Sequence, residues 1–123
     1  MVYIVDDNIY VLRGMSLRLK SAQLDCLPLD SAEKFLEVYK PGSDDLLILD
    51  MHLTGMNGCE LLHRLSQLKT VIPVIVITAF DEQSSRDCAK KYGSVAFFRK
   101  PIDGEALIDV IRFNLACREA PCM

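Results

Sequence analysis

Residues 46–50, LLILD, place four consecutive apolar side chains directly before the carboxylate of Asp50. A second apolar run without alternation, residues 74–77, ends in the same way at the hydroxyl of Thr78. Strands that are apolar on both faces are typical of a parallel sheet that helices cover on both sides. These two runs therefore predict central strands of a parallel sheet.

The rest of the chain repeats this alternation of a strand with a helix. The predicted strands lie at residues 2–5, 26–29, 46–49, 74–77 and 95–98. Apolar residues at helical spacing predict helices at residues 9–22, 58–69, 82–92 and 104–117, and a shorter one between Asp30 and Pro41-Gly42. Five strand–helix units in succession predict an α/β fold with a sheet between two layers of helices.

Local signals refine this outline. Because Pro28 cannot donate to a sheet ladder, the second strand is expected at an edge. Asp30 is expected to cap the second helix, with Glu33 as its capping partner. The whole chain is predicted to be one domain, 1–123, with a core at about residues 2–116 and a frayed tail at 118–123.

Composition restricts the class of protein. The 123 residues are 50% hydrophobic and 25% charged, with a net charge of −3, as in ordinary globular domains. Without a broad positive charge, direct binding of this chain to nucleic acid is not expected. The longest apolar runs, of four or five residues, are far below the ~20 that a membrane helix needs, so no membrane association is expected.

The cysteines indicate free thiols. There are five, an odd number without C-x-x-C spacing, which argues against both a zinc site and a disulfide framework; they are Cys26, Cys59, Cys88, Cys117 and Cys122. The first residues also lack the basic start and apolar stretch of a secretion signal. Together these features predict a reducing, cytoplasmic location.

Polar residues follow the predicted strands at the edge where ligands bind in open parallel sheets. They are Asp6 and Asp7 after the first strand, Asp50 after the third, Thr78 after the fourth and Lys100 after the fifth. Three carboxylates in one place repel each other, and Mg²⁺, which prefers oxygen ligands, would relieve the repulsion. A carboxylate nucleophile beside a metal, an ammonium and a hydroxyl is suited to accepting a phosphoryl group.

The chain resembles the receiver domain of two-component response regulators over about residues 2–116. The motifs that carry the resemblance are Val2-Tyr3-Ile4-Val5-Asp6-Asp7-Asn8, Leu46-Leu47-Ile48-Leu49-Asp50, Gly55-Met56-Asn57-Gly58, Pro73-Val74-Ile75-Val76-Ile77-Thr78-Ala79 and Phe97-Phe98-Arg99-Lys100-Pro101. The resemblance implies a CheY-like, flavodoxin-like (βα)5 sandwich with a parallel five-stranded sheet in the order 2-1-3-4-5. The opening and residues 31–36 most resemble receivers joined to helix-turn-helix transcription factors.

The same resemblance implies roles for the residues at the sheet edge. Asp50 would be the phospho-acceptor. Asp7, Asp50 and the backbone carbonyl of His52 would hold Mg²⁺, with Asp6 assisting directly or through water. Lys100 would pair first with Asp50 and then with the phosphoryl group.

Switching is also implied by the resemblance. Thr78 would bond the phosphoryl group and shift inward on activation, while Phe97 would be the aromatic switch residue. The Lys100–Pro101 peptide bond would be cis. The polar helix at 82–92 buries little, which makes it a plausible movable element.

Three positions depart from the usual receiver pattern. Thr54 stands where many receivers have proline, which predicts a looser loop. His52 and Phe80 lie where side chains flank the route of the hydrolytic water, which predicts an altered rate of autodephosphorylation. A solvent-facing loop histidine is the plainer interpretation of His52.

The implied function is a signalling switch, not an enzyme, with slow autodephosphorylation. Asp50 would take its phosphoryl group from a sensor histidine kinase and so change the face formed by helix 4, strand 5 and helix 5, which would control an output domain or partner in transcription. One alternative is an aspartyl-phosphate phosphatase, because residues 50–54 are similar to the Asp-x-Asp-x-Thr signature of haloacid-dehalogenase-like phosphatases, although His52 replaces the second Asp. Another alternative is a passive interaction module.

The last helix carries two apolar stripes. The first is expected to face the sheet and comprises Leu107, Ile108, Ile111 and Leu115. The second is either part of a broad buried face or a surface for an output domain or a phosphorylation-dependent homodimer, and comprises Ala106, Val110, Phe113 and Cys117. A helix-turn-helix output domain is expected outside these 123 residues.

Overall fold

The computed structural model describes residues 1–41, 44–68 and 71–119, with the side chains of the last helix up to Leu115. Strands and helices alternate along the chain as predicted. Their bounds are β1 Val2–Val5, α1 Ile9–Ser21, β2 Cys26–Leu29, α2 Ala32–Val38, β3 Leu46–Asp50, α3 Gly58–Gln67, β4 Val74–Thr78, α4 Gln83–Lys91, β5 Ala96–Arg99 and α5 Gly104–Glu119. In these ranges, no helix is both long enough and apolar enough to cross a membrane.

The five strands form one parallel sheet in the order β2-β1-β3-β4-β5. This confirms the flavodoxin-like α/β architecture and the predicted strand order. β2 lies at an edge, where Pro28 pairs with Ile4. β1, β3 and β4 are buried along their whole length, because helices cover both of their faces.

Two apolar cores lie on opposite faces of the sheet. One packs α2, α3 and α4 against the sheet, with Phe35, Leu61 and Ala89 among its buried residues. The other packs α1 and α5 against the opposite face, with Leu19 and Ile111 fully buried. The sheet is therefore the middle layer, and its carboxyl edge remains open for a functional site.

Several predicted ends move by one or two residues. Ala22 and Tyr92 were predicted inside helices but lie at the C-caps of α1 and α4, where their N–H groups bond the last helical carbonyls. β5 begins one residue later than predicted, at Ala96. α5 extends through Glu119, two residues past its predicted end at 117; residues 120–123 lie outside the described chain.

The cap of α2 is Ser31, not the predicted Asp30. The Ser31 hydroxyl accepts the N–H of Lys34 at 3.1 Å, so the helix begins one residue later than an Asp30 cap would place it. Asp30 instead forms an ion pair with the Lys34 ammonium, 3.0 Å away and four residues along. The Glu33 carboxylate does not complete a capping box, because it accepts the N–H of Met56 at 3.4 Å.

Two of the predicted free thiols are bonded. Cys59 of α3 and Cys88 of α4 form a disulfide, with their Cα atoms 6.0 Å apart. The two residues are separated by 29 positions in sequence, and only the packing of α3 beside α4 brings them together. Among the described cysteine side chains, Cys26 remains a free thiol.

The two apolar stripes of α5 differ in burial. The comparison covers the side chains that the structure describes, up to Leu115. Leu107, Ile108 and Ile111 of the first stripe are buried against the sheet, as predicted. In the second stripe, Val110 packs partly on the same core, whereas Phe113 is 68% exposed. The side chain of Cys117 lies outside the described residues.

Gly58 offers a test of how the start of α3 supports β3. A Cβ at this position would lie 2.8 Å from the Asp50 carbonyl oxygen and 2.8 Å from the Met51 Cα. Gly58→Ala must therefore displace the backbone that carries Asp50, and we expect it to lower the free energy of unfolding by about 1–3 kcal/mol, as overpacking does.

Gly14→Ala in α1 is the matched control for chemical unfolding of both variants. A Cβ at Gly14 would meet no atom within 4 Å, so alanine should raise the free energy of unfolding by about 0.5–1 kcal/mol through its higher helix propensity. Equal effects of the two substitutions would contradict a close approach of Gly58 to β3.

Candidate functional site

The parallel register brings the ends of β1, β3, β4 and β5 to one edge of the sheet. Asp6 follows β1 directly, Asp50 is the last residue of β3 and Thr78 is the last residue of β4. Lys100 follows β5, and its N–H donates to the Thr78 carbonyl at 2.8 Å. The order of the strands in the sheet thus places Lys100 near carboxylates that are remote in sequence, such as Asp50.

Three carboxylates converge at this edge. Oxygens of Asp6, Asp7 and Asp50 all lie within 4.8 Å of one another. Asp6 and Asp50 are buried, whereas Asp7 is exposed. The N–H of Asn8, the residue that caps α1, donates to Asp6 Oδ1 at 2.9 Å, so the turn into α1 fixes the Asp6 side chain.

Lys100 lies between the two buried carboxylates. Its Nζ is 2.8 Å from Asp6 Oδ2 and 3.4 Å from Asp50 Oδ2. Asp6, rather than Asp50 alone, is therefore a close partner of the ammonium. The Asp50 carboxylate also accepts the N–H of His52 at 3.2 Å.

Burial and neighbouring charges shift the pKa values of Asp50 and Lys100. Burial raises the pKa of Asp50 and the Asp6 charge raises it further, which outweighs the opposing effect of the His52 N–H and of Lys100. For Lys100, burial acts to lower the pKa, but the bond to Asp6 and the charges of Asp50 and Asp6 raise it overall. The pKa values of Asp50 and of Lys100 are thus both raised, and the Lys100 ammonium keeps its charge beside the two carboxylates.

The donor atoms suit a hard divalent cation. Carboxylate oxygens are the ligands that Mg²⁺ prefers, and Mg²⁺ usually keeps several waters. The exposed Asp7 leaves the cluster open to water on one side. A cation here would also reduce the repulsion that raises the pKa of Asp50.

Thr54 is a residue whose contribution the sequence did not indicate. Its N–H and its hydroxyl both bond Asp7 Oδ2, at 3.2 Å and 2.9 Å. Because Glu33 holds Met56 in the same loop, the segment between β3 and α3 is tied on two sides. The predicted loosening by Thr54 is wrong, since proline has no N–H and no hydroxyl to make either bond.

The Thr78 hydroxyl is engaged by the backbone of Phe80. This buried hydroxyl donates to the Phe80 carbonyl at 2.9 Å and accepts the Phe80 N–H at 3.1 Å. The ring of Phe80, which is 60% exposed, contacts the ring of His52 edge to face at 5.2 Å between centroids. His52 Nε2 also lies 4.0 Å from a Glu82 carboxylate oxygen, so this histidine contacts the segment that leads into α4.

Phe97 lies half-buried under α4. The Arg86 guanidinium lies over its ring, 5.1 Å from the centroid, and also bonds the Asp81 carboxylate. The Lys100–Pro101 peptide bond is cis. The sheet edge thus joins a cluster of charged groups to side chains that contact α4.

The sequence is similar to those of known regulatory proteins. The model of the response regulator receiver domain matches residues 2–112. Response regulator protein TodT of Pseudomonas putida is 33% identical over 93% of this chain and 50% of its own length. DNA-binding transcriptional regulator NtrC of Escherichia coli is 26% identical over 89% of this chain and 24% of its own length.

A solved structure agrees with these matches. Response regulator StyR superposes with a TM-score of 0.88 at 35% identity, over 96% of this chain and 60% of that one. The chain spans half of TodT and 60% of StyR, so these proteins contain further sequence that has no counterpart in these 123 residues.

Asp50→Asn is expected to stabilise the metal-free protein at neutral pH, and to stabilise it less in acid. The folded chain holds a proton on Asp50 more tightly than the unfolded chain does, because the pKa is raised. The stability from this group therefore falls as the pH rises from the ordinary carboxyl pKa through the raised one. Asparagine does not titrate, so the variant does not lose stability at this position as the pH rises.

Chemical unfolding in EDTA, from acid to neutral pH, measures the effect. The gain from Asp50→Asn should grow with pH over that window. Asp109→Asn, which removes an exposed carboxylate on α5, is the control for net charge. A gain that does not change with pH would contradict the raised pKa of Asp50.

Proposed function

Because this chain belongs to the response regulator receiver domain family, we propose that it is a phosphorylation switch whose acceptor is Asp50. A sensor histidine kinase is the proposed donor. The bond between phosphorus and the kinase histidine nitrogen breaks, and a bond to a carboxylate oxygen of Asp50 forms, giving an acyl phosphate. The position of the Asp50 carboxylate, buried beside the Lys100 ammonium and two other carboxylates, is the observation that carries this proposal.

Lys100 and the acidic cluster are both proposed to assist phosphoryl transfer. The Lys100 ammonium, already within 3.4 Å of Asp50, would pair with the phosphoryl oxygens as negative charge reaches this site. Asp7, Asp50, the His52 carbonyl and Asp6 are the proposed holders of Mg²⁺. The cation, when bound, supplies positive charge to the phosphoryl oxygens in transit.

The signal is proposed to pass through α4, β5 and α5. The phosphoryl group adds roughly −1.5 to −2 charges at Asp50, and the Thr78 hydroxyl is a donor that could turn to it by leaving Phe80. Phe97 and Arg86 link β5 to α4, so a shift of Thr78 would change packing there. α4 buries only Ser85, Cys88 and Ala89 among its residues, so its noncovalent packing offers little resistance to a shift.

A transcriptional output is proposed for the parent protein. TodT is a response regulator and NtrC a DNA-binding transcriptional regulator, and each exceeds the length that this chain matches. We propose a cytoplasmic receiver that controls a helix-turn-helix output domain outside these residues. The exposed Phe113 of α5 is the proposed contact for that domain or for a homodimer formed on phosphorylation.

Acetyl phosphate with Mg²⁺ tests phospho-acceptance directly. We expect the intact mass to rise by one phosphoryl group, with no adduct in Asp50→Asn or in EDTA. Asp45→Asn is the matched control, because Asp45 is a buried carboxylate at the opposite end of β3 and its variant should still accept the group.

The same assay separates the alternatives. Continuous release of phosphate from small phosphate esters would favour an aspartyl-phosphate phosphatase over a switch. No adduct in the parent protein would favour a passive interaction module. Slow loss of the adduct, without turnover of esters, is the result expected of a receiver.

Thr54 is expected to set the affinity for Mg²⁺ by holding Asp7. Thr54→Val removes the hydroxyl bond to Asp7 Oδ2 but keeps the N–H, and loss of such a partner of a metal ligand typically weakens binding about tenfold. Thr54→Ser keeps both donors and should bind like the parent. Calorimetric titration with Mg²⁺ measures the three affinities, and equal values would contradict a role of Thr54 in orienting Asp7.

A further inference from the structure

The disulfide between Cys59 and Cys88 joins two helices on the same side of the sheet. Cys59 is the second residue of α3, shortly after the loop that follows Asp50. Cys88 lies in the middle of α4 and is 7% exposed. The bond therefore connects the loop beside the phospho-acceptor to the helix proposed to respond to it.

The other contacts of α4 that the structure describes are noncovalent. Its N-cap residue, Glu82, makes no side-chain capping bond, and Cys88 is one of the three residues that the helix buries. A hydrogen bond of 2.9 Å joins His63 of α3 to the hydroxyl of Tyr92 at the end of α4. A covalent bond at the centre of the helix thus restricts an element that noncovalent packing holds only lightly.

Cys59 is accessible to reagents. It is only partly buried, and it lines one groove together with Asp7 and His52 and another together with Glu60 and His63. Disulfides in the cytosol are usually transient and serve either catalysis or redox sensing. A bond of this kind, in a receiver proposed to be cytoplasmic, would form and break with the thiol–disulfide state of the cell.

We propose that Cys59 and Cys88 form a redox-controlled bond that fixes α4 against α3 and so limits the response of α4 to phosphorylation. The inference rests on the proposed function, because phosphorylation at Asp50 is what α4 is expected to respond to. In the oxidised protein α4 is restrained. In the reduced protein α4 is free to shift when Asp50 is phosphorylated.

The oxidant is a low-molecular-weight disulfide such as oxidised glutathione. The Cys59 thiolate attacks one of its sulfurs, the reagent's S–S bond breaks, and one thiolate leaves. The Cys88 thiolate then attacks the Cys59 sulfur and expels the second thiolate. The two protein sulfurs lose two electrons, the reagent gains them, and the two leaving thiolates take up the protons that the cysteines release.

Hydrogen exchange of residues 83–91 tests the restraint. The protein carries Cys117→Ser and Cys122→Ser, so that Cys26, Cys59 and Cys88 are the remaining thiols. It is compared after treatment with oxidised or reduced glutathione, each with and without acetyl phosphate and Mg²⁺. Intact mass and thiol titration report whether the bond has formed.

We expect α4 to exchange on the order of tenfold faster in the reduced protein, and phosphorylation to accelerate it further only in that state. Cys59→Ser should behave as the reduced protein in both buffers. Cys26→Ser, which removes a thiol outside the bond, should respond to redox state as the parent does.

Two results would overturn the inference. One is failure of oxidised glutathione to remove two thiols from titration. The other is equal exchange of α4 in the oxidised and reduced proteins. If Asp50 accepts no phosphoryl group in either state, the proposed function fails, while the exchange measured without acetyl phosphate still decides whether the bond restrains α4.

Discussion

The ion pairs of Lys100 with Asp6 and Asp50 make the carboxyl edge of the sheet possible. Asp6 is fully buried, and a buried carboxylate is costly unless a charge or hydrogen bonds compensate it. Lys100 reaches both carboxylates only because β5 ends beside β4. At that point the N–H of Lys100 donates to the Thr78 carbonyl. The strand order and the charge balance of the site therefore depend on each other.

The exposed side of the site depends on a different set of contacts. Asp7 is held by Thr54, and the loop that carries Thr54 is held by Glu33 of α2 through Met56. The same loop enters α3 at Gly58, where the backbone of Asp50 leaves no room for a side chain. Contacts from α2 and from the start of α3 thus hold the loop that keeps Asp7 beside Asp50.

Local patterns in the sequence predicted the sheet and the residues at its edge. Apolar runs identify buried strands, and parallel topology brings the residues after those strands together, as it does for Asp50 and Lys100. The pairing of Cys59 with Cys88 and the bonds of Thr54 to Asp7 depend on how helices pack and loops turn. Neither has a local signal, because no strand register links these partners, which lie 29 and 47 residues apart.

The contacts of Thr78 indicate how a charge at Asp50 would reach α4. Its hydroxyl satisfies both the N–H and the carbonyl of Phe80, close to the start of a helix whose N-cap residue offers no side-chain bond. A Thr78 that turned to a phosphoryl oxygen would leave those backbone groups without their partner. Loss of these hydrogen bonds would destabilise the β4–α4 loop and the nearby position of Arg86, which lies over the Phe97 ring. Because the noncovalent packing of α4 is light and its disulfide ties it to α3, a phosphoryl group at Asp50 would shift α4 most readily when that bond is reduced.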